Sequence, residues 1–311
     1  MRLDQFLAGK PDILSRAHAQ KLIERGHVTV NGRKETKASR DIDSRHVVEY
    51  TLEEAAAVPD GVTSKMTLEV LYEDDDCFVI NKPAGVAVHP GNGMAKNDET
   101  LLDGLKPIFA KRKLPFSASD VLVHRLDKET TGCLLIAKNA KAHKLLQKQF
   151  ESRSVSKFYL ALVAGVPSPA SAVIDAPIGR HTGDRTRMSI VQISASRSAS
   201  TTYRTLSSSQ GVALLSCELH TGRTHQIRVH LRAIGHPILG DEKYETTASA
   251  NVTAKFRVHF LCLHAWKLGF QSPSGKKVSV NAEPPEKFLE LTQQLGLKVP
   301  KSGNEQLAIG N

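Results

Sequence analysis

His124-Arg125-Leu126-Asp127-Lys128-Glu129-Thr130-Thr131-Gly132 is the stretch whose reading decides the fold. The apolar run Val121-Leu122-Val123 leads into it, and Leu134-Leu135-Ile136-Ala137 leads out. Both flanks predict buried strands, and the polar middle predicts the loop between them. Asp127 then sits where two strands hold a side chain rigidly at the mouth of a cleft. Its basic neighbours Arg125 and Lys128 favour an ionised carboxylate, and a carboxylate held so is a candidate nucleophile. A loop aspartate can equally serve only in turn hydrogen bonds, and these residues alone leave both readings open.

Two chemistries place an aspartate in such a loop. An aspartyl-phosphate enzyme uses Asp-Lys-Thr-Gly, but Glu129 interrupts that order in Asp127-Lys128-Glu129-Thr130. The other matches almost residue for residue. The stretch resembles the His-Arg-Leu-Asp-x-x-Thr-Ser/Thr-Gly signature of the RluA-type pseudouridine synthases. Lys128 and Thr131 stand where that family often has Arg and Ser. The resemblance implies that Asp127 is catalytic.

The chain as a whole agrees with an RNA partner. Its 311 residues leave room for one large domain and a small one, and 40% hydrophobic residues suffice for a packed core. Lys plus Arg number 42 against 32 Asp plus Glu, a net charge of +10 that points to a polyanion. No run approaches the ~18 apolar residues a membrane span needs, and no apolar signal segment opens the sequence. Cys77, Cys133, Cys217 and Cys262 lie far apart in apolar contexts, which predicts buried free thiols in a reducing compartment. No Cys or His clustering predicts a metal site. A cytoplasmic monomer is expected.

Residues 1–52 form the first predicted unit. Leu3, Phe6 and Leu7 keep helical spacing. Ser15 is placed to cap a second helix carrying Leu22 and Ile23, which Gly26 closes. Val28-Thr29-Val30-Asn31-Gly32 predicts a strand entering a tight hairpin turn. Arg16, Lys21, Arg25 and Arg33 are among the basic side chains here that could grip phosphates. The order Arg2-Leu3-Asp4, Ser15-Arg16, Leu22-Ile23, Gly26, Val28, Val30-Asn31-Gly32 resembles the RNA-binding domain named after the fourth small-subunit ribosomal protein. Residues 53–66, with Glu53-Glu54-Ala55-Ala56-Ala57-Val58-Pro59-Asp60-Gly61, read as a linker.

Between 67 and the central loop, Leu68–Tyr72 and Cys77–Ile80 predict strands, and Asn81-Lys82-Pro83-Ala84-Gly85 interrupts before the strand resumes at Val86-Ala87-Val88. His89-Pro90-Gly91-Asn92-Gly93 is Gly-rich but lacks the Lys-Ser/Thr ending of a phosphate cradle. Residues 92–99 and 111–120 read as mobile polar loops. Past Asp127, Asn139 is placed to cap a helix to about Ser152 with Leu145, Leu146 and Phe150 inward. Ser156–Val163 predicts a strand, with Lys157 and Tyr159 on one side. A strand tyrosine is either core or, beneath a flipped base, a stacking platform; a Lys-x-Tyr strand in the resembled family implies the latter. Residues 180–200, with Arg180, Arg185, Arg187 and Arg197, suggest a flexible hairpin touching phosphates. Strands at Thr201–Leu206 and Val212–Leu219 follow.

The second deciding stretch runs from Gly222-Arg223-Thr224-His225-Gln226-Ile227-Arg228-Val229-His230 through Gly235-His236-Pro237-Ile238-Leu239-Gly240-Asp241 to Tyr244. Thr224 is placed to cap a helix in which Ile227, Leu231 and Ile234 keep apolar spacing, ended by Gly235 and Pro237. The helix start beside Arg223 suits a phosphate. Arg228, in the second turn, either reaches a cleft or stays solvated with Arg232. This stretch is similar to a second signature of the same family, which implies that Arg228 pairs with Asp127 and keeps it ionised and aimed. Toward the end, Leu261–Phe270, a Ser274-Gly275 turn and Val278–Val280 predict a hairpin, followed by a helix over 286–295 and a frayed polar tail over 296–311.

Together the resemblances imply an α+β catalytic domain over 67–295, built on a largely antiparallel mixed sheet with flanking helices, behind a small α/β RNA-binding domain. They imply isomerisation of uridine in RNA to pseudouridine, without cofactor. Asp127 would attack the ribose anomeric carbon or the uracil ring, Arg228 orient it, and Tyr159 stack on the base. Arg125 would hold the vacated space, with His124, Arg223 and Lys157 also at the RNA. Large-subunit ribosomal RNA is the expected substrate ahead of tRNA. The alternative from another class is an inactive RNA-binding or ribosome-assembly factor.

Overall fold

The computed structural model describes residues 1–10, 13, 16–51, 61–89, 98–184, 186–190 and 196–300. Ser15, most of the expected linker, Pro90 to Gly93 and Arg185 fall outside them.

The N-terminal unit comprises α1 (Leu3–Ala8), α2 (Arg16–Glu24), β1 (Val28–Val30), β2 (Arg33–Lys34) and β3 (Val48–Tyr50). Its sheet runs β2-β1-β3, antiparallel throughout. Asn31 (φ 54°) and Gly32 (φ 73°) make the β1–β2 turn, both in the left-handed region that a two-residue hairpin demands. Leu3, Leu7, Leu22, Ile23, Val28, Val30 and Ile42 close into a core of their own. Buried Asp4 ties the helices together, accepting from Arg2, from Arg16 Nε (2.9 Å) and from Gln20 Nε2 (2.8 Å). Those hydrogen bonds, Arg2's the strongest, hold its carboxyl well below the usual range.

The remaining elements are β4 (Glu69–Glu73), β5 (Cys77–Lys82), α3 (Leu101–Lys111), α4 (Ala118–Val121), β6 (Thr131–Ala137), α5 (Ala140–Glu151), β7 (Ser156–Ala164), β8 (Ser171–Asp175), β9 (Ile178–Arg180), β10 (Met188–Ile190), β11 (Ser200–Ser209), β12 (Val212–Leu219), α6 (Gln226–Ala233), α7 (Thr247–Lys255), β13 (Leu263–Gln271), β14 (Lys277–Asn281) and α8 (Glu286–Gln294). Among the described residues, nine strands make one sheet, ordered β4-β5-β6-β13-β7-β12-β11-β8 with β14 also on β13. Every pairing is antiparallel except β6–β13, so the sheet is mixed and largely antiparallel. Strand alternation sends Phe78, Ile80, Leu134 and Ile136 into one core with α3, α6 and α8. Cys77, Val79, Cys133 and Leu135 enter a second core with α5 and β14. All seven residues of β6 are buried, as expected of a strand covered on both faces. All four cysteines are buried free thiols.

Several expectations are corrected. Val121-Leu122-Val123 is not a strand: Val121 ends the helical turn α4, and Leu122 makes a single bridge to Ile136. The strand does not resume at Val86–Val88, because its carbonyls are claimed elsewhere. Val86 O accepts from Lys82 Nζ and Ala87 O from Leu101 N, both at 2.8 Å. The loop after α3 is packed, with Phe116 edge-on to Phe109 at 5.1 Å. Leu145 is 38% exposed, since the inward stripe of α5 runs through Ala142 and Leu146. Asn139 does cap that helix, accepting from Ala142 N at 2.8 Å. Leu297 lies buried beyond Gly296, so the chain docks further than the predicted helix end.

Helix α3 escaped the sequence reading. Pro107 inside it costs about 3 kcal/mol. Burying Leu101, Leu102, Leu105 and Phe109 contributes about 1.5–3 kcal/mol each and outweighs that cost. Thr100 and Asp103 form a capping box at its start.

Candidate active site

The signature loop lies between α4 and β6, and two close approaches fix its end. Gly132, at φ 106°, faces β13 so tightly that a Cβ would meet Ala265 O at 2.2 Å. Beside it, Thr131 Oγ1 bonds His264 Nδ1 at 2.8 Å, and His264 Nε2 reaches Ala282 O at 3.0 Å. The Thr-Gly of the motif is therefore the seam at which β6 joins β13, in register Thr131↔His264 and Gly132↔Ala265. Lys82 pins the loop from beneath. Its fully buried ammonium donates to Pro83 O, Val86 O and Lys128 O, each at 2.8 Å. Burial lowers its pKa to about 8, while Glu129 and Asp127 pull the other way. The bond to Lys128 O holds the residue next to Asp127.

Asp127 opens into a cavity of about 460 Å³, within the range of small-ligand sites (roughly 300–1,000 Å³). Its side chain is 17% exposed, and Oδ2 accepts from Arg228 Nη1 at 3.2 Å. Arg228 comes from α6, a hundred and one residues along the chain. Its other two bonds go to buried Asp241, with Nε to Oδ2 and Nη2 to Oδ1 both at 2.7 Å. Burial works against the guanidinium's charge, but Asp241 and then Asp127 more than offset it and raise its pKa. This division of labour matters chemically. The tight bidentate pair with Asp241 fixes the fork. The third, longer ion pair reaches Asp127 and leaves it 17% exposed at the cavity.

The N-terminus of α6 is built by side chains rather than by the expected Thr224 cap. His225 is the residue before the first turn, left-handed at φ 55° and making no side-chain cap bond. Gln226 supplies the anchorage. Its Oε1 accepts from Thr221 Oγ1 (2.7 Å) and Arg223 N (3.0 Å), and its Nε2 donates to Ser200 O and Thr201 Oγ1.

The structure brings Asp127, Tyr159, Arg228, Arg125, His124, Lys157 and Arg223 around this one cavity. Tyr159 is 7% exposed, between Cys217 on β12 and Ala265 on β13, where the β7–β13 register shifts. Burial, helped by the charge of Asp127, pushes its phenol well up, so the hydroxyl stays protonated and a donor. Arg125 is exposed on the loop. Lys157 is buried with its ammonium 5.7 Å from the Phe150 ring, and burial lowers its pKa. Arg223 donates to Ser198 O at 3.1 Å; burial and the nearby charges of Arg197 and Arg153 lower its pKa. An anion at that edge would relieve the crowding of like charges.

His124 is turned toward the protein. Its Nε2 accepts from Leu135 N at 2.9 Å, and its ring stacks on Phe150 at 4.6 Å. Burial, then Lys157, lowers its pKa to about 3, so the ring is neutral. It lines the cavity with its ring held against the protein, and so shapes the loop. In the N-terminal unit, Lys21, Arg25 and Arg33 are exposed, and Arg16 is spent partly on Asp4. The residues that sequence reasoning gave no role are Lys82, Asp241, His225 and Tyr244. All four fall inside stretches already singled out, but each has at least one partner 13 or more residues away.

Against known proteins, residues 76–233 match the family described as RNA pseudouridylate synthase, and residues 1–48 match the S4 domain. The chain is 37% identical over 296 residues to the uncharacterized RNA pseudouridine synthase YlyB of Bacillus subtilis, covering 94% of each. It is 39% identical over 305 residues to the ribosomal large subunit pseudouridine synthase D of Nitrosomonas europaea, covering 95% of this chain and 84% of the relative. The solved structure of human RNA pseudouridylate synthase domain containing 4 superposes with a TM-score of 0.61 at 31% identity, over 75% of this chain and 95% of that one.

The fold and site thus define an RNA-modifying isomerase with an S4 domain at its N-terminus. The chain belongs to the RNA pseudouridylate synthase family, among relatives of the RluA type. Among the described residues, no helix is long and apolar enough to cross a membrane.

Proposed function

We propose that this pseudouridine synthase acts on uridines of large-subunit ribosomal RNA, with Asp127 as nucleophile, Arg228 as its orienting partner and Tyr159 as the stacking platform. The observation that carries the roles is the Asp127–Arg228–Asp241 arrangement at a cavity of about 460 Å³. Isomerisation needs the glycosidic bond broken, the uracil turned within a closed pocket, and carbon five joined to the ribose. A partly exposed carboxylate oxygen, fixed by a guanidinium that is itself fixed, suits the first step. Tyr159 suits the second: a flat, protonated phenol on a rigid strand lets a ring turn above it while offering a donor.

The target nucleotide must leave its stack, at a cost of a few kcal/mol. Arg125 would occupy the space it vacates. Arg223, with Arg197 and Arg153, would hold a flanking phosphate, and Lys157 would add charge inside the pocket. Lys21, Arg25 and Arg33 would extend the grip through phosphate contacts that read shape more than sequence. The ribosomal target rests on the names of relatives such as that of Nitrosomonas europaea and on the N-terminal S4 domain.

Mapping pseudouridines in total RNA from cells with and without the chain tests the substrate. Loss of sites confined to large-subunit ribosomal RNA is expected. Loss confined to tRNA would overturn that assignment, and no loss in any RNA would favour an inactive RNA-binding factor.

A further inference from the structure

We propose that His225 is a second positioning residue for Asp127: Tyr244 holds its imidazole in the tautomer with the proton on Nε2, and from 3.9 Å, beyond hydrogen-bond reach, that N–H dipole steers Asp127 Oδ2 electrostatically alongside Arg228. The inference builds on Asp127 as nucleophile.

The tautomer follows from the bonds around Tyr244. Its hydroxyl oxygen accepts from Met188 N at 2.8 Å and lies 2.7 Å from His225 Nδ1. A backbone N–H can only donate, so the hydroxyl keeps its own proton for another acceptor. With the side chain 4% exposed, Nδ1 is the acceptor in reach among the described residues. The imidazole proton then sits on Nε2, which stands 3.9 Å from Asp127 Oδ2. The other tautomer would leave the hydroxyl proton without a partner in a buried place, and would turn a nitrogen lone pair on the carboxylate. Both consequences are unfavourable.

The surroundings fit this reading. Asp127, Asp241, Arg228, Lys243 and Tyr244 are the titratable or charged groups facing the ring. Burial lowers its pKa to about 4, with Asp127 opposing, so the ring faces Asp127 neutral and presents an N–H dipole in place of a full charge. The rings of His225 and Tyr244 pack edge to face at 5.5 Å, and Tyr244 in turn lies 5.1 Å from the Arg228 guanidinium. One tyrosine therefore aligns both groups that flank the carboxylate. The left-handed backbone at His225 is a further sign of constraint. Such a conformation is unfavourable for a residue with a Cβ, and is kept where the surroundings impose it.

Steady-state kinetics of His225→Ala and Tyr244→Phe test the inference. His225→Ala is expected to lower kcat by about 10- to 100-fold, as a misaimed reacting group does, with KM for RNA within about twofold; His225→Asn, which tolerates the backbone and keeps an N–H donor, should recover part of the loss. Tyr244→Phe keeps the ring but removes the donor that favours neutral imidazole. The ring then takes a proton more readily, and the imidazolium charge ties up Asp127 as an ion pair and weakens it as a nucleophile, so the acid limb of its kcat–pH profile moves to higher pH. A merely structural role would lower the rate by one factor at every pH. His225→Ala within twofold of wild-type kcat, or a Tyr244→Phe profile parallel to wild type, overturns the proposal. Should His225→Ala fail to fold, the Tyr244→Phe profile decides alone. Failure of the underlying reading is distinct: there Asp127→Asn itself would turn over.

Discussion

Arg228→Lys asks whether the guanidinium fork, and not only its charge, is what the site uses. Arg228 spends three N–H bonds on two carboxylates, two on Asp241 at 2.7 Å and one on Asp127 at 3.2 Å. A lysine ammonium donates from one point and cannot span both with that geometry. Asp241 is fully buried and Asp127 largely so, so the ammonium is drawn to Asp241 and leaves Asp127 without its donor. Removing one or two charge-assisted hydrogen bonds at such a site costs roughly 1.5–3 kcal/mol each. At roughly 2–4 °C per kcal/mol for a domain of this size, the melting temperature falls by at least 3 °C. The kinetic effect is larger. Asp127 without its guide is misplaced relative to the nucleoside, and an error of about 1 Å costs on the order of 10²-fold in rate. Tritium release from labelled RNA under single-turnover conditions, beside a thermal melt, measures both. Turnover within about threefold of wild type would refute the reasoning, because charge alone would then suffice.

Other substitutions probe the scaffold and the interface. Gly132→Ala drives a Cβ to 2.2 Å from Ala265 O at a positive φ, and is expected to cost several kcal/mol and yield little folded protein by circular dichroism; a normal melt would contradict the seam between β6 and β13. Lys21→Glu with Arg33→Glu should weaken RNA binding and make the salt dependence shallower by roughly 1 for each phosphate no longer neutralised. An unchanged salt slope in filter binding would remove the N-terminal unit from the interface. Two histidines held against the protein, His124 half-buried and His264 buried, give a pH dependence. His124, held to about 3, and His264, held to about 4 by burial, take up protons only on unfolding below their ordinary value of about 6.5. Folded pKa values below the unfolded one mean stability that is complete above pH 6.5 and falls as the pH drops. Each accounts for roughly 2 kcal/mol of destabilisation by pH 5. Melts at pH 7.5 and 5.0 that coincide would show these rings to be protonated in the fold.

What was readable in the sequence was what is decided locally. Asn31-Gly32 announced the hairpin because only residues tolerant of positive φ fit it. Asn139 announced α5 because a cap bonds within its own turn. Helix α3 was hidden by Pro107 and Gly104, which argue against a helix until the depth of its apolar face is known. Gly104 itself makes room for Met66, since a Cβ there would meet Sδ at 2.8 Å. The site divided along the same line. Asp127 and Arg228 stood out within long signatures, and the structure puts them in contact. Lys82 bonds Lys128 O across 46 residues, and Thr131 meets His264 across 133. Such partnerships are properties of the folded sheet and leave no periodicity to read. The same holds for His225, whose meaning depends on Tyr244.

The most direct test is the turnover of Asp127→Asn, which keeps the shape of the side chain and its hydrogen bond from Arg228 through the amide oxygen. With wild-type RNA affinity by filter binding, tritium release should fall to background. Measurable pseudouridine formation by that variant would contradict the assignment of the carboxylate as nucleophile, and with it the account of why the loop, Lys82 and Arg228 are arranged as they are.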